Sequence, residues 1–173
     1  MSDEPYYTGD AASPARFPIH VVLDNVRSAM NVGSIFRTSD AAGVACLHLC
    51  GITCWPPHAK LEKTSLGAHH YVKWRRYTET REALDWLRQQ GIPVFALETG
   101  ADARMMGEFE WPSPVAIVLG HEVLGVDEDI MALCDGRVQI PMFGVKNSLN
   151  VASAFAVVIY HIISGRSPER PGE

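Results

Sequence analysis

Arg137-Val-Gln-Ile-Pro-Met-Phe-Gly-Val-Lys-Asn-Ser-Leu-Asn-Val-Ala-Ser-Ala-Phe-Ala-Val-Val-Ile-Tyr-His161 reads as an apolar strand, a polar turn and an apolar helix in succession. The Ser148-Leu149-Asn150 turn sets two hydrogen-bonding side chains beside several free backbone N–H groups at the start of that helix. An α/β fold builds its ligand site at such a point, beyond the carboxyl end of a strand.

Working outward, strand and helix signals alternate. Ile19 to Leu23 is an apolar strand. Asn31 is expected to cap a helix whose stripe of Val32, Ile35, Phe36 and Ser39 runs to Gly43. Ala45 to Leu49 follows as a strand, then a short helix near 59–65 and a strand near 71–75. Thr80 is expected to cap a helix through Gln90, with Gly91 beyond its end. Pro93 to Leu97 and Val115 to Leu119 are strands, and the unbroken apolar run of the latter suits a parallel sheet covered on both faces. Asp127 opens a helix to Cys134, Val138 to Pro141 is a strand, and the last helix spans Leu149 to Ser164. The pattern predicts an α/β fold with a mostly parallel sheet flanked by helices. Its strand ends carry Asp24-Asn25, Glu98-Thr99-Gly100, Gly120-His121-Glu122 and the stretch from Met142 to Asn150.

A chain of 173 residues with 47% hydrophobic and 20% charged residues suits one domain, expected over 19–165. Residues 1–18 read as a flexible arm and 166–173 as a short tail. The longest apolar stretch, Val151 to Ile163, is shorter than the roughly 20 residues a bilayer crossing needs, and the start lacks a basic region followed by an apolar one. A soluble, cytoplasmic protein with no membrane partner is expected. Cys46, Cys50, Cys54 and Cys134 include no Cys-x-x-Cys spacing and read as buried reduced thiols, with no metal site. The net charge of -5 disfavours a broadly basic surface. Between His58 and Arg76, however, five Lys and Arg stand against Glu62 alone, with His69, His70, Tyr71 and Trp74 interleaved. That block is a candidate RNA contact, its alternative being a solvated face.

Two further elements bear on chemistry. In Asn31-Val-Gly-Ser-Ile-Phe-Arg-Thr-Ser-Asp-Ala-Ala-Gly43, Arg37 lies about 140° from the apolar stripe and points away from the core, while Gly33 and Ser34 allow close approach of another group. In Val118-Leu-Gly-His-Glu-Val-Leu-Gly-Val126, a strand ends in a turn with two glycines and an acid. Neither the Gly-x-Gly-x-x-Gly phosphate turn nor a P-loop is present, which leaves hydride transfer and nucleotide hydrolysis without support.

Taken in order, Asn-x-Gly-x-Ile-x-Arg-Thr, Leu-Gly-x-Glu-x-x-Gly and Ile-Pro-Met-x-Gly-x-x-x-Ser-Leu-Asn-Val resemble the three signature motifs of the SpoU (TrmH-like) branch of the SPOUT RNA methyltransferases. The resemblance covers about residues 19 to 164, and Lys63-Thr-Ser-Leu-Gly-Ala68 also looks like a segment of that family. It implies a C-terminal trefoil knot, a homodimer, and methyl transfer from S-adenosylmethionine to a ribose 2′-hydroxyl of RNA, leaving S-adenosylhomocysteine and using no metal. By motif position, Leu97, Glu98, Leu119, Gly120, Ile140, Met142, Ser148 and Leu149 would surround the cofactor. Arg37 would be the catalytic arginine, with Asn31, Ser148 and Asn150 orienting ribose and arginine and Glu122 anchoring the loop. A guanidinium stays protonated and is a poor base, so Arg37 is read as holding a phosphate and stabilising the developing alkoxide. Transfer RNA is the expected substrate. The alternatives are ribosomal RNA, a noncatalytic RNA-binding dimer, and a base-nitrogen methyltransferase, which the Asn31 to Arg37 element disfavours. Many relatives carry Asn at the place of His121, and recognition of RNA is expected to rest on the core, the dimer, the basic block or the arm rather than on an appended RNA-binding domain.

Overall fold

The computed structural model describes residues 15–168; the expected arm through residue 14 and the tail from residue 169 lie outside them. Among the described residues seven strands form one sheet: β1 (Phe17–Asp24), β2 (Val44–Cys50), β3 (Trp74–Tyr77), β4 (Val94–Leu97), β5 (Arg104–Met105), β6 (Val115–Leu119) and β7 (Gly136–Gln139). Their order is β3-β2-β1-β6-β4-β7-β5, and every strand pair is parallel. The central strands are buried on both faces, which is why β6 reads as Val-Ala-Ile-Val-Leu with no polar alternation.

Helices α1 (Ala29–Ala41) and α5 (Val151–Ile163) cover one face, where Val32, Ile35, Phe36, Phe155, Val158 and Ile162 meet Ile19, Val21, Leu23 and Ile117. Helix α3 (Thr80–Gln89) and the single turn α4 (Glu128–Met131) cover the other, through Ala83, Leu84, Leu87 and Ile130 against Val22, Ala116 and Val118. Helix α2 (Ala59–Ser65) packs across α1 at Gly33, where a β-carbon would collide with the Leu61 carbonyl and the Thr64 hydroxyl. Thr64 also donates to the Met30 carbonyl at 2.9 Å. The Lys63 to Ala68 segment thus braces the start of α1, and a left-handed Leu66 ends α2.

Several boundaries differ from the sequence reading. Helix α1 starts earlier than expected: Ser28 is its N-cap and accepts from the Asn31 N–H at 3.3 Å, so Asn31 lies within the first turn with its amide free for tertiary contacts. Thr80 does not cap α3; Glu79 holds that position, and the Thr80 hydroxyl donates to Asp24 Oδ1 at 2.6 Å. Asp127 does cap α4, but that helix is one turn rather than reaching Cys134. Strand β1 begins at Phe17, β3 and β7 are each displaced from their expected windows, and β5 had no counterpart in the sequence reading.

Asp24 explains how the strand ends are locked. Its carboxylate is buried yet fully used: Oδ1 accepts from Thr80 and from the Asn25 amide at 3.2 Å, and Oδ2 accepts from the Asp127 N–H at 3.1 Å. A buried carboxylate persists only when its lone pairs are satisfied. Asn25, in the left-handed region at φ 55°, turns the chain toward α1 and accepts from the Ile52 N–H at 3.0 Å.

Candidate active site

Strand order reverses beside β1 and β6, so the loops after these two strands leave in neighbouring positions. The turn after β6 closes as a tight hairpin bridge between His121 and Gly125, and a β-carbon on Gly120 would collide with the Gly125 and Val126 backbone. Only glycine fits there. His121 stabilises the turn from within: its Nδ1 accepts from the Val123 and Leu124 N–H groups at 3.0 and 3.2 Å. This is the work an Asn side chain does in many turns, and it places the imidazole proton on Nε2. Glu98, at the end of β4, accepts from the Val126 N–H at 3.2 Å and from the Thr99 N–H at 3.0 Å, tying the hairpin to the next strand.

Glu122 projects from this turn toward the start of α1. Its Oε1 accepts from the Ser28 N–H at 2.9 Å and the Asn31 side-chain amide at 3.0 Å, and its Oε2 accepts from the Arg27 N–H at 2.9 Å. Partial burial raises its proton affinity, but the bonds from Ser28, Asn31 and Arg27 outweigh this and hold its pKa below the ordinary carboxylate value. Glu122 is therefore a fixed anion, ill suited to taking a proton at neutral pH. Asn31 Oδ1 in turn accepts from Asn150 Nδ2 at 3.2 Å, and Asn150 Oδ1 caps α5 through the Ala152 and Ser153 N–H groups at 3.0 and 3.2 Å. One hydrogen-bonded chain thus joins segments 91 and 119 residues apart in sequence.

Next to this chain lies a cavity of about 500 Å³, lined by Leu97, Leu119, Gly120, Glu122, Leu149 and Asn150 among others. A smaller hollow of about 100 Å³ adjoins it, sharing Leu97, Glu98, Ser148 and Leu149 and adding Ile140 and Met142. All eight residues expected around a cofactor line one or both hollows. The volume falls in the usual range for small-molecule sites, and the mix of leucines with a few polar groups suits a purine with a charged tail. Gly125 and Val151, from the quoted motifs, and Thr99 and Asn147, from the strand ends, also line these walls although no cofactor contact was expected of them; Ala154 lines them too and no motif marks it.

The five residues expected to act in catalysis divide. Asn31, Glu122 and Asn150 form the chain described above, and Ser148 lines the cavity without a hydrogen bond among the described residues. Arg37 stands apart. It is exposed on α1, as its helical phase predicts, and makes no hydrogen bond or ion pair among the described residues.

The basic block does not form one face. Trp74 and His69 are buried, Arg75 stacks over Trp86 at 4.4 Å, Arg76 stacks over Trp55 at 3.8 Å, and Lys60, Lys63 and Lys73 are exposed. The thiols are free, and burial pushes Cys46 and Cys134 up to about 12 and Cys54 up to about 11. Cys46, His20 and His48 bring their ligand atoms within 4.8 Å of one another. Within this group His20 Nδ1 lies 3.0 Å from His48 Nε2, and His48 Nδ1 lies 3.2 Å from the Tyr77 hydroxyl. Burial, with the Arg75 charge alongside, lowers both imidazole pKa values, so the two histidines form a neutral relay across β1, β2 and β3.

The model of the SpoU rRNA Methylase family matches residues 18–160. A tRNA (guanosine(18)-2′-O)-methyltransferase of Thermus thermophilus is 38% identical over 140 residues, covering 81% of this chain and 71% of that protein. The solved SpoU methyltransferase AviRb from Streptomyces viridochromogenes, in complex with AdoMet, superposes with a TM-score of 0.79 at 26% identity, over 92% of this chain and 65% of that one. A structure solved for insight into the 2-OH methylation of C/U34 on tRNA gives 0.75 at 28% identity and covers 86% of this chain and 97% of that one. This chain therefore spans nearly all of one relative and about two thirds of the others, and it belongs to the SpoU methylase family.

Proposed function

We propose that this protein transfers a methyl group from S-adenosylmethionine to a ribose 2′-hydroxyl of RNA, with tRNA as the substrate, acting as a cytoplasmic homodimer whose cofactor loops belong to a trefoil knot. The observation that carries this reading is the cofactor-sized cavity lined by all eight expected residues, with the Glu122, Asn31 and Asn150 chain at its edge. Family membership and the tRNA 2′-O-methyltransferases among the relatives support the same reaction and substrate class.

Bound in the cavity, S-adenosylmethionine supplies a methyl group already activated by its sulfonium, so the reaction needs no metal. Leu97, Leu119, Ile140, Met142 and Leu149 provide the apolar contacts for its adenine, and Gly120 allows its close approach. Asn31 and Asn150 hold the acceptor ribose at the cavity edge, Glu122 keeps Asn31 in register, and Ser148 offers the one hydroxyl of the turn. Arg37 binds the adjacent phosphate and stabilises charge developing on the 2′-oxygen. Most of the acceleration comes from alignment for in-line transfer. The exposed Val157 and Tyr160 support the dimer, since they put apolar surface on the face of α5 opposite the one that Phe155, Val158 and Ile162 bury in the core.

Transfer of labelled methyl from S-adenosylmethionine to total tRNA and, separately, to rRNA, followed by nucleoside analysis, tests this reading. A 2′-O-methylnucleoside in tRNA is expected. Product confined to rRNA would move the substrate class, and cofactor binding without transfer to either pool would overturn the enzymatic reading.

A further inference from the structure

A second hollow of about 540 Å³ shares the 121–123 turn with the cofactor-sized cavity. Arg27, Met30, His58, Lys60, Glu122 and Val123 are among its lining residues. Arg27 and Lys60 are exposed and have no acidic partner among the described residues. The single carboxylate in the lining, Glu122, has both oxygens occupied by Arg27, Ser28 and Asn31 and so cannot neutralise them. His58 Nδ1 is buried without a hydrogen-bond partner among the described residues. A buried polar atom left in that state points to a partner that arrives from outside. Met30 and Val123, 50% and 82% exposed, add apolar surface beside these charges.

Two cations, one unpaired imidazole nitrogen and apolar side chains in a hollow of this size match a nucleotide of single-stranded RNA, whose phosphate is anionic and whose base stacks and hydrogen-bonds. We infer that this hollow holds a nucleotide adjacent to the one being methylated, with its phosphate on Arg27 and Lys60, its base against Met30 and Val123, and a base edge on His58 Nδ1. The inference rests on the RNA methylation proposed above, and the shared turn sets the geometry: a strand with its ribose at Asn31 and Asn150 crosses the 121–123 turn and descends into this hollow. On a chain of net charge -5, the local basic pair also gives the strand a direction that the whole surface does not.

The test uses the RNA identified by the labelling experiment, prepared with neutral methylphosphonate linkages placed one at a time within three nucleotides of the target. It compares the wild type with Arg27→Ala/Lys60→Ala, which leaves the Arg27 backbone N–H on Glu122. The double variant should raise KM for RNA about tenfold, with kcat within twofold, cofactor affinity unchanged and the thermal transition retained. Arg27→Lys/Lys60→Arg should restore most of the loss. Neutralising one linkage beside the target should raise KM for the wild type but not for the double variant, whereas the other linkages should act alike on both. Additive effects at every linkage, or a fall in kcat with KM unchanged, would overturn the subsite. Failure of the wild type to methylate any RNA would instead overturn the reaction on which the inference rests.

Discussion

Arg37 carries its charge at any working pH and leaves it unspent within the described residues. Arg37→Ala should lower kcat by roughly 10²- to 10³-fold, the usual effect of deleting a donor aimed at developing negative charge, while titration with S-adenosylmethionine shows unchanged affinity. Gly120→Ala should do the opposite. Its methyl would spread the 120–126 hairpin, and calorimetry should find cofactor affinity lost with the sheet intact. Both residues stand in sequence motifs. Ser28 as the cap of α1, Thr80 as a donor to Asp24, and His121 as an acceptor for its own turn were not legible, because each depends on where a neighbouring backbone N–H or carboxylate arrives in space. Helical phase could place Arg37 on the outside of α1; it could not say that the amide of Asn31 reaches a carboxylate 91 residues away.

At the scale of elements, β1, β2 and β3 are joined by side chains as well as by their ladders. Burial, followed by the charge of Arg75, lowers the His20 pKa from 6.5 to about 4, and burial with the neighbouring His20 and Arg75 charges holds His48 well below its ordinary value. Both imidazoles are neutral in the fold. As pH falls below about 6.5, the unfolded chain takes up protons that the native state refuses, so stability is lost through the window from 6.5 down to about 4. The expected slope approaches about 1.4 kcal/mol per pH unit for each imidazole. Urea midpoints measured across that range should show it, and a flat profile would refute the neutral relay. At the start of α5, Asn150→Ala removes an N-cap and should cost about 1 kcal/mol in the same assay, with methyl transfer falling further because Asn31 loses its donor. The strands and helices themselves were mostly legible from apolar periodicity. The two-residue β5 and the single turn α4 were misread because elements so short carry no periodic signal.

For the molecule as a whole, the sheet could be anticipated as parallel from its apolar strands, but the order β3-β2-β1-β6-β4-β7-β5 could not, since periodicity says nothing about which strands become neighbours. The same holds for the hollow at Arg27, His58 and Lys60, which is assembled from the starts of α1 and α2 and the 121–123 turn. Val157 and Tyr160, 41% and 52% exposed on α5, should lie in the dimer contact. Val157→Arg/Tyr160→Arg should shift sedimentation equilibrium toward the monomer, and a dimer unaffected by both charges would place the contact elsewhere. The tie from Glu122 through Asn31 to Asn150 has a consequence for the order of events during synthesis. A nascent chain can begin pairing β1 with β2 once about fifty residues have emerged, but this edge of the cavity needs residue 150 and the helix that residue caps. Unfinished chains therefore lack this edge, and the cavity is completed only in polypeptides whose last helix has been made.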